Sequence, residues 1–135
     1  MSLFEHLASE PFARQMGIAI DEIRPGYARV SLTLADWMTN VHGTAHGGMI
    51  FGLADVAFAA ASNSHGTTAV ALNMEIQYLS AGHPGQRLVA EAAEIDLTRR
   101  TALYRITVSD EETGKQVAAL HARVYRLDRP VLPEA

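Results

Sequence analysis

One short stretch of the sequence combines a loop asparagine, two adjacent glycines and a single carboxylate. Asn40 precedes His46-Gly47-Gly48, and Asp55 comes eight residues after Gly47. Glycines at the start of a helix let a ligand approach the backbone N–H groups that the first turn leaves unpaired. Together with the helix dipole, these groups would stabilise a carbonyl oxygen that becomes an oxyanion. A tight turn from loop to helix would use the same two glycines, so the pattern leaves both interpretations open.

Asp55 lies in a segment that has no other polar side chain. From residue 49 to residue 61 every residue except Asp55 is apolar or glycine, which predicts a helix buried on all sides. An unpaired carboxylate in such a helix is costly unless it takes up a proton. We therefore interpret Asp55 as a functional residue, either a general base toward water or a nucleophile on a carbonyl carbon. The alternative is a carboxylate that hydrogen bonds hold in place for structure.

The pattern around this helix predicts an α+β domain. Residues 3–16 are expected to form short helical turns, the second opened by Pro11. The helix is expected to run from residue 47 to about residue 64. Alternating and β-branched segments separated by turn residues predict strands over residues 17–23, 28–34, 67–79, 86–97, 101–110 and 116–126. The order predicts an antiparallel sheet of about six strands, with a frayed tail from residue 128.

Length and composition restrict the class of protein. A chain of 135 residues has the size of one domain, residues 1–135. Its net charge of −4, without a basic face, argues against nucleic acid as the main partner. The absence of cysteine excludes disulfides and thiolate metal ligands. The first residues lack the pattern of a signal peptide, and the apolar stretch is too short for a membrane span, so we expect a soluble cytoplasmic protein.

The stretch from Asn40 to Gly66 resembles the signature of hotdog-fold acyl-CoA thioesterases, in particular the PaaI-like group of phenylacetic acid degradation. The resemblance is carried by the residues named above and by Ala-Phe-Ala-Ala-Ala-Ser-Asn-Ser-His-Gly at 57–66. It implies a central helix wrapped by a curled antiparallel sheet. It also implies that the helix acid, Asp55, is catalytic and that Gly47, eight residues earlier, polarises the thioester carbonyl. His46 would belong to the same active site.

Two further loop residues have alternative roles. Asn40 would hold the attacking water or the substrate, or it would satisfy the backbone of its own turn. His46 would shape the glycine turn or orient the substrate carbonyl. His42 lies four residues before His46, but the glycines beside them and the single nearby acid argue against a metal site. We therefore expect no metal and no cofactor, because coenzyme A is part of the substrate.

The coenzyme A phosphates need cationic partners. Arg99-Arg100-Thr101, at a predicted turn between strands, offers guanidinium groups for them, although a solvated turn would have the same composition. Many relatives carry an Arg-Pro-Gly turn after the third strand, where this chain has Ser80-Ala81-Gly82. Arg87 is a further candidate for this contact, and Gly48 is the remaining candidate for substrate binding.

The expected activity is hydrolysis of an acyl-CoA thioester to a free acid and coenzyme A. The resemblance favours phenylacetyl-CoA or a ring-hydroxylated relative as substrate. A hotdog dehydratase acting on hydroxyacyl thioesters is one alternative, and a non-catalytic acyl-CoA-binding protein is another. The dehydratase would need a histidine aimed at the substrate beside the acid.

Helix geometry predicts the assembly. Gly47 and Asp55 are separated by roughly 12 Å along one helix axis, whereas a single carbonyl would need both groups close to it. Two antiparallel helices side by side could meet this need. We therefore predict a homodimer with shared sites, each taking Asn40, His46 and Gly47 from one chain and Asp55 from the other. The resemblance agrees, and we expect such dimers to form a homotetramer.

Overall fold

The computed structural model describes residues 1–132, which form three α-helices and six strands. In chain order these are α1 (Leu3–Ala8), α2 (Pro11–Met16), β1 (Ala19–Arg24), β2 (Tyr27–Thr33), α3 (Gly47–Asn63), β3 (Thr67–Tyr78), β4 (Arg87–Leu97), β5 (Thr101–Asp110) and β6 (Gln116–Pro130). A single 3-10 turn, Asp36–Met38, lies in the loop before α3. The predicted elements are therefore all present, with boundaries that differ by a few residues.

The strands form one antiparallel sheet in the order β1-β2-β4-β5-β6-β3, and α3 packs across one face of it. Leu53 and Phe58 of the helix are completely or almost completely buried, as are Tyr104 and Ile106 of β5. The Phe58 and Tyr104 rings meet edge to face with centroids 5.8 Å apart. This arrangement confirms the α+β hotdog fold, although the sheet does not close around the helix.

One face of α3 is left uncovered, so the prediction of a helix buried on all sides is wrong for the single chain. Gly48 and Asp55 are exposed, and Phe51 and Ala59 on the same face are only half-buried. The sheet covers the opposite side of the helix, and side chains three and four residues apart share a face. Asp55 therefore points away from the sheet.

The end of the chain also differs from the prediction. Residues 128–130 continue β6, and Pro130 pairs with Thr67 at the start of β3, where the Thr68 hydroxyl donates to the Pro130 carbonyl at 3.0 Å. The first residue of β3 thus gives the end of β6 a partner, and a proline is tolerated at the end of a strand. The rest of the predicted frayed tail, residues 133–135, lies outside the described residues.

Helix α3, with 17 residues, is the longest helix in the described part of the chain. Neither it nor α1 or α2 combines the length and hydropathy that a membrane span requires.

Candidate active site

The first turn of α3 leaves one backbone donor unpaired. His46 is the N-cap residue, and its Nδ1 accepts the Gly48 N–H at 2.8 Å. The His46 carbonyl accepts the N–H groups of Met49 and Ile50 at 2.9 and 3.2 Å. Within residues 1–132, the Gly47 N–H has no acceptor. The Gly47 N–H is therefore free to donate a hydrogen bond to an oxygen atom of a ligand.

His46 shapes the glycine turn by this cap, which is one of the two roles expected for it. Because Nδ1 accepts a hydrogen bond, the neutral imidazole carries its hydrogen on Nε2. No cluster of three or more histidine, aspartate or glutamate side chains suited to a metal ion occurs in the part of the chain that the structure describes.

Tyr78, at the end of β3, is a site residue that sequence reasoning missed. Its hydroxyl donates to the Gly47 carbonyl at 3.0 Å. A Cβ atom at position 47 would lie 3.2 Å from the Tyr78 hydroxyl oxygen and 3.3 Å from Cζ, so the ring rests directly on the glycine. The two residues are 31 apart in the chain, and an aromatic residue at a strand end is too common to be a signal.

A cavity of about 500 Å³ opens beside this turn. Its walls combine Asn40, Gly47, Gly48 and Tyr78 with the segment after β3, residues 79–81. The structure therefore brings together three of the residues expected from the sequence. The cavity of the single chain does not include Asp55 or the arginine turn.

The Asn40 side chain holds its own loop. Its Oδ1 accepts the N–H groups of His42 and Thr44 at 2.9 and 3.3 Å, and its Nδ2 donates to the Thr44 hydroxyl at 2.9 Å. Asn40 thus satisfies the backbone of its own turn, which is one of the two roles expected for it. A carboxamide has two N–H donors, and the second is not used in these contacts.

Asp55 has no hydrogen-bond partner and no ion pair within residues 1–132. The structure therefore does not support a carboxylate held by hydrogen bonds for structural reasons. Although the side chain is exposed on the open face of α3, the surrounding protein atoms desolvate it enough to raise its pKa. A carboxylate with a raised pKa is a better proton acceptor toward water than an ordinary one.

A second carboxylate, Glu10, lies near Asp55. Burial raises the pKa of Glu10, and the negative charge of Asp55 raises it further. Glu10 is the residue before α2, whose Phe12 ring covers the helix at Gly52, so a Cβ atom at position 52 would lie 3.1 Å from the ring. Sequence reasoning did not select Glu10, because its contact with α3 depends on the packing of α2.

The arginine turn lies far from Gly47 within one chain. Thr101 pairs with Tyr125 of β6, close to the first residues of β3, whereas Gly47 contacts the last residue of β3. Tyr125 pairs with Val70, and the stretch from Val70 to Tyr78 spans roughly 26 Å at the full rise per residue. The structure therefore does not bring Arg99, Arg100 and Thr101 together with the glycine turn of the same chain.

The arginine candidates also differ in their own contacts. Both Arg99 and Arg100 pair with Asp128, at 3.6 and 3.0 Å, and remain at the surface. Arg87 instead donates to the hydroxyls of Ser31 and Thr33 at 2.7 and 2.8 Å. The Arg87 guanidinium is thus hydrogen-bonded to side chains of β2, away from the cavity.

With this geometry established, comparison with known proteins identifies the class. Residues 42–117 match the Thioesterase superfamily. The chain belongs to this family. Its architecture and its relatives make it a hotdog-fold thioesterase of the PaaI-like group, a hydrolase of thioester bonds.

Particular relatives support this assignment. The chain is similar to the acyl-coenzyme A thioesterase PaaI of Escherichia coli K12, with 36% identity over 123 residues that cover 91% of this chain and 87% of the relative. The solved PaaI protein from the phenylacetic acid degradation operon of E. coli superposes with a TM-score of 0.88 at 32% identity, covering 96% of this chain and 99% of the other. The Streptococcus mutans protein smu.793, solved with acetyl-CoA bound, gives a TM-score of 0.80 at 27% identity, with 84% and 90% of the two chains covered.

Proposed function

We propose that this thioesterase hydrolyses phenylacetyl-CoA or a ring-hydroxylated aromatic acyl-CoA, using the turn at Gly47 and the carboxylate of Asp55. The observation that carries the site assignment is the unpaired Gly47 N–H at the start of α3, beside a cavity of about 500 Å³. Acetyl-CoA bound to the S. mutans neighbour supports a coenzyme A thioester as substrate. The phenylacetic acid operon of the E. coli neighbour supports an aromatic acyl group.

The chemistry follows from the two groups. The Gly47 N–H donates to the thioester oxygen and stabilises the negative charge that develops there. A water attacks the carbonyl carbon while Asp55 takes its proton. When the tetrahedral intermediate collapses, the carbon–sulfur bond breaks and the thiolate of coenzyme A takes the proton from Asp55. In the nucleophilic alternative, Asp55 itself forms the new bond to carbon, the carbon–sulfur bond breaks as the coenzyme A thiolate leaves, and water then hydrolyses the resulting anhydride.

A single turnover with excess enzyme in ¹⁸O-labelled water separates these two routes. If Asp55 is a general base, the label enters the product acid directly. If Asp55 is the nucleophile and water attacks the Asp55 carbonyl of the anhydride, the first product takes its oxygen from the carboxylate and the label remains in the protein, so label in Asp55 identifies the nucleophilic route.

The shared site requires two chains. Strand β3 is an edge of the sheet, and its Val70 and Leu72 side chains are 46% and 54% exposed, an arrangement that favours pairing with another strand. Antiparallel pairing of two β3 strands about a two-fold axis would bring the start of one strand to the end of the other. The open face of α3 would then meet its copy, with Asp55 of one chain near Gly47 of the other.

The same pairing accounts for the position of the arginine turn. The start of β3, near which Arg99 and Arg100 lie, would reach the end of β3 in the partner, near its Gly47. In this proposal the guanidinium groups bind the phosphates of a coenzyme A whose thioester lies in the partner's glycine turn. Two dimers would form a homotetramer, and the enzyme would be cytoplasmic, where coenzyme A thioesters are found.

Substrate choice is tested with a panel of aromatic, short-chain and long-chain acyl-CoA thioesters and a thiol-release readout. We expect the highest kcat/KM for phenylacetyl-CoA or a hydroxylated relative, and Asp55→Asn should lose several orders of magnitude of turnover without unfolding. A preference for long aliphatic chains would refute the aromatic assignment. Retention of more than about a tenth of the rate by Asp55→Asn would remove this residue from the mechanism.

The shared site is tested by complementation. Gly47→Pro and Asp55→Asn chains are each expected to be inactive, whereas a mixed dimer would contain one doubly altered site and one intact site. We expect purified mixed dimers to recover about half of the wild-type activity because one of two sites is intact. Mixed dimers without activity would mean that both residues act within one chain.

A further inference from the structure

The peptide group between Gly47 and Gly48 is held at both of its polar atoms. Its carbonyl accepts the Tyr78 hydroxyl at 3.0 Å, and its N–H donates to Nδ1 of His46 at 2.8 Å. Rotation of this peptide plane would break one bond or the other. The orientation of Gly47, and with it the direction of its own N–H, is therefore set by two side chains from different parts of the fold.

The bond from Tyr78 is not needed to satisfy the backbone. Gly47 is the first residue of α3, and in an α-helix its carbonyl accepts from the N–H four residues later. The tyrosine adds a second donor to a carbonyl oxygen that already has one. Because the Gly47 carbonyl already has a donor, the main effect of the Tyr78 bond is to restrict the orientation of that carbonyl.

The position of Tyr78 is fixed by the pairing of β3 with β6. It pairs with Ala118 of β6, and the next residue, Leu79, donates its N–H to the Val117 carbonyl at 2.8 Å. A group carried by a paired strand holds its position better than one carried by a loop. The close contact of the ring with the Cα side of Gly47 transmits this position to the start of the helix.

We propose that Tyr78 is a positioning residue of the reaction, which aims the Gly47 N–H at the thioester oxygen by clamping the Gly47 carbonyl from the neighbouring strand. The inference rests on the proposed role of the Gly47 N–H. It adds a residue that does not itself contact the reacting atoms. Small misplacements of a catalytic group cost up to about 10²-fold in rate, so loss of the hydroxyl should lower kcat by roughly tenfold.

The test compares Tyr78→Phe with Tyr27→Phe. Tyr27 is a matched control, because its hydroxyl also makes one hydrogen bond, to Glu91 at 2.6 Å, and it lies next to Gly26, which contacts Ser64 at the far end of α3. For both variants kcat, KM and Tm are measured with the preferred acyl-CoA. We expect Tyr78→Phe to lower kcat with KM unchanged, and Tyr27→Phe to leave both unchanged.

A spectroscopic probe separates positioning from a structural role. The probe is a ketone analogue of the substrate in which a methylene group separates sulfur from the carbonyl carbon, so that the enzyme binds it without cleaving it. Infrared spectroscopy of the bound ketone reports how strongly the carbonyl is polarised. We expect a downshifted carbonyl stretch in the wild-type enzyme and a smaller downshift in Tyr78→Phe at saturating analogue.

The outcomes are distinct. Without a downshift in the wild-type enzyme, the assignment of Gly47 as oxyanion donor fails, whatever Tyr78 does. A wild-type downshift that Tyr78→Phe retains in full would overturn the positioning role alone. If Tyr78→Phe lowers Tm, the infrared spectrum and kcat are recorded below the unfolding transition, where an unchanged carbonyl stretch would likewise refute the proposal.

Discussion

The two ends of α3 are built in opposite ways. At the end of the helix, Asn63 exchanges hydrogen bonds with the backbone of Ala69 at 2.8 and 3.2 Å, and the Ser64 hydroxyl accepts the Gly26 N–H at 2.8 Å. At the start of the helix, the Gly47 N–H has no acceptor in residues 1–132. The end of the helix is bonded to two other segments of the chain, whereas the start keeps one donor open to a ligand.

The bonded end continues into the sheet. His65 Nε2 lies 2.5 Å from the Glu94 carboxylate, which also accepts the hydroxyl of the fully buried Tyr104 at 3.0 Å. Burial, followed by this hydrogen bond and by the charge of Glu94, raises the pKa of Tyr104, so its hydroxyl remains a donor. These contacts fix the last turn of α3 against the sheet, so the stability of the fold does not depend on a hydrogen bond to the Gly47 N–H at the other end.

Because the fold depends on the bonded end of α3, we expect a substitution at Gly47 to lower turnover without lowering the stability of the fold. Gly47→Pro removes the N–H and fits the local backbone, because proline is accepted at the first helical position and His46 already has the extended conformation, φ −63° and ψ 135°, that precedes proline. It also adds a Cβ atom next to Tyr78. We expect kcat to fall by about 10²- to 10³-fold, as for other oxyanion donors. The measurement is steady-state thiol release, with Tm recorded in parallel.

Gly47→Ala is the matched control for this change. Its Cβ meets Tyr78 just as that of proline does, 3.2 Å from the hydroxyl oxygen, but the N–H is retained. Equal losses in the two variants would assign the effect to the tyrosine contact instead of the N–H. Gly48→Ala is a poor control, because its Cβ would lie 3.0 Å from the His46 nitrogen that caps the helix.

At the bonded end of α3, we expect a substitution to lower the stability of the fold without lowering turnover. Glu94→Ala leaves the buried Tyr104 hydroxyl without its acceptor, and we expect unfolding to become easier by about 1–3 kcal/mol. Turnover per folded molecule should not change. Urea denaturation checks the first expectation, and Glu112→Ala, at an exposed turn residue, should stay within about 0.5 kcal/mol of wild type. A large loss of kcat in folded Glu94→Ala would break the distinction between the two ends.

The arginine turn predicts a smaller effect, confined to binding. Replacing both Arg99 and Arg100 by alanine should raise KM for acyl-CoA several-fold and leave kcat almost unchanged, because the phosphates are remote from the scissile bond. The wild-type KM should rise with ionic strength, and that of the variant less so. Arg87→Ala, whose guanidinium is bonded to Ser31 and Thr33, is the control. An equal defect with a truncated pantetheine thioester would refute phosphate binding.

The smallest effect concerns stability and pH. The Asp55 pKa is raised above its ordinary value of 3.8 in the folded protein, so ionised Asp55 destabilises the fold. Between 3.8 and the raised pKa the folded state binds more protons than the unfolded one, and stability falls as pH rises. Asp55→Asn should therefore be slightly more stable than wild type at neutral pH. The difference in denaturation midpoint should shrink as the pH is lowered toward 3.8, and a pH-independent difference would contradict this cause.

The sequence by itself determined the local features of this protein. The boundaries of α3, the turn at Gly47-Gly48 and the hairpin turns depend on residues within a few positions of one another, which is why composition and spacing predict them. The isolated acid at Asp55 and the motif around it were enough to predict the family, which comparison confirmed.

Only the tertiary structure decided which distant groups meet. Tyr78 reaches Gly47 across 31 residues, and the uncovered face of α3 follows from the side on which the sheet lies. The register of β3 against β6 decided that residues 128–130 extend a strand and that the arginine turn lies away from Gly47. These relations depend on how the strands pair and how the helix packs, and no short-range pattern of residues encodes strand order or packing.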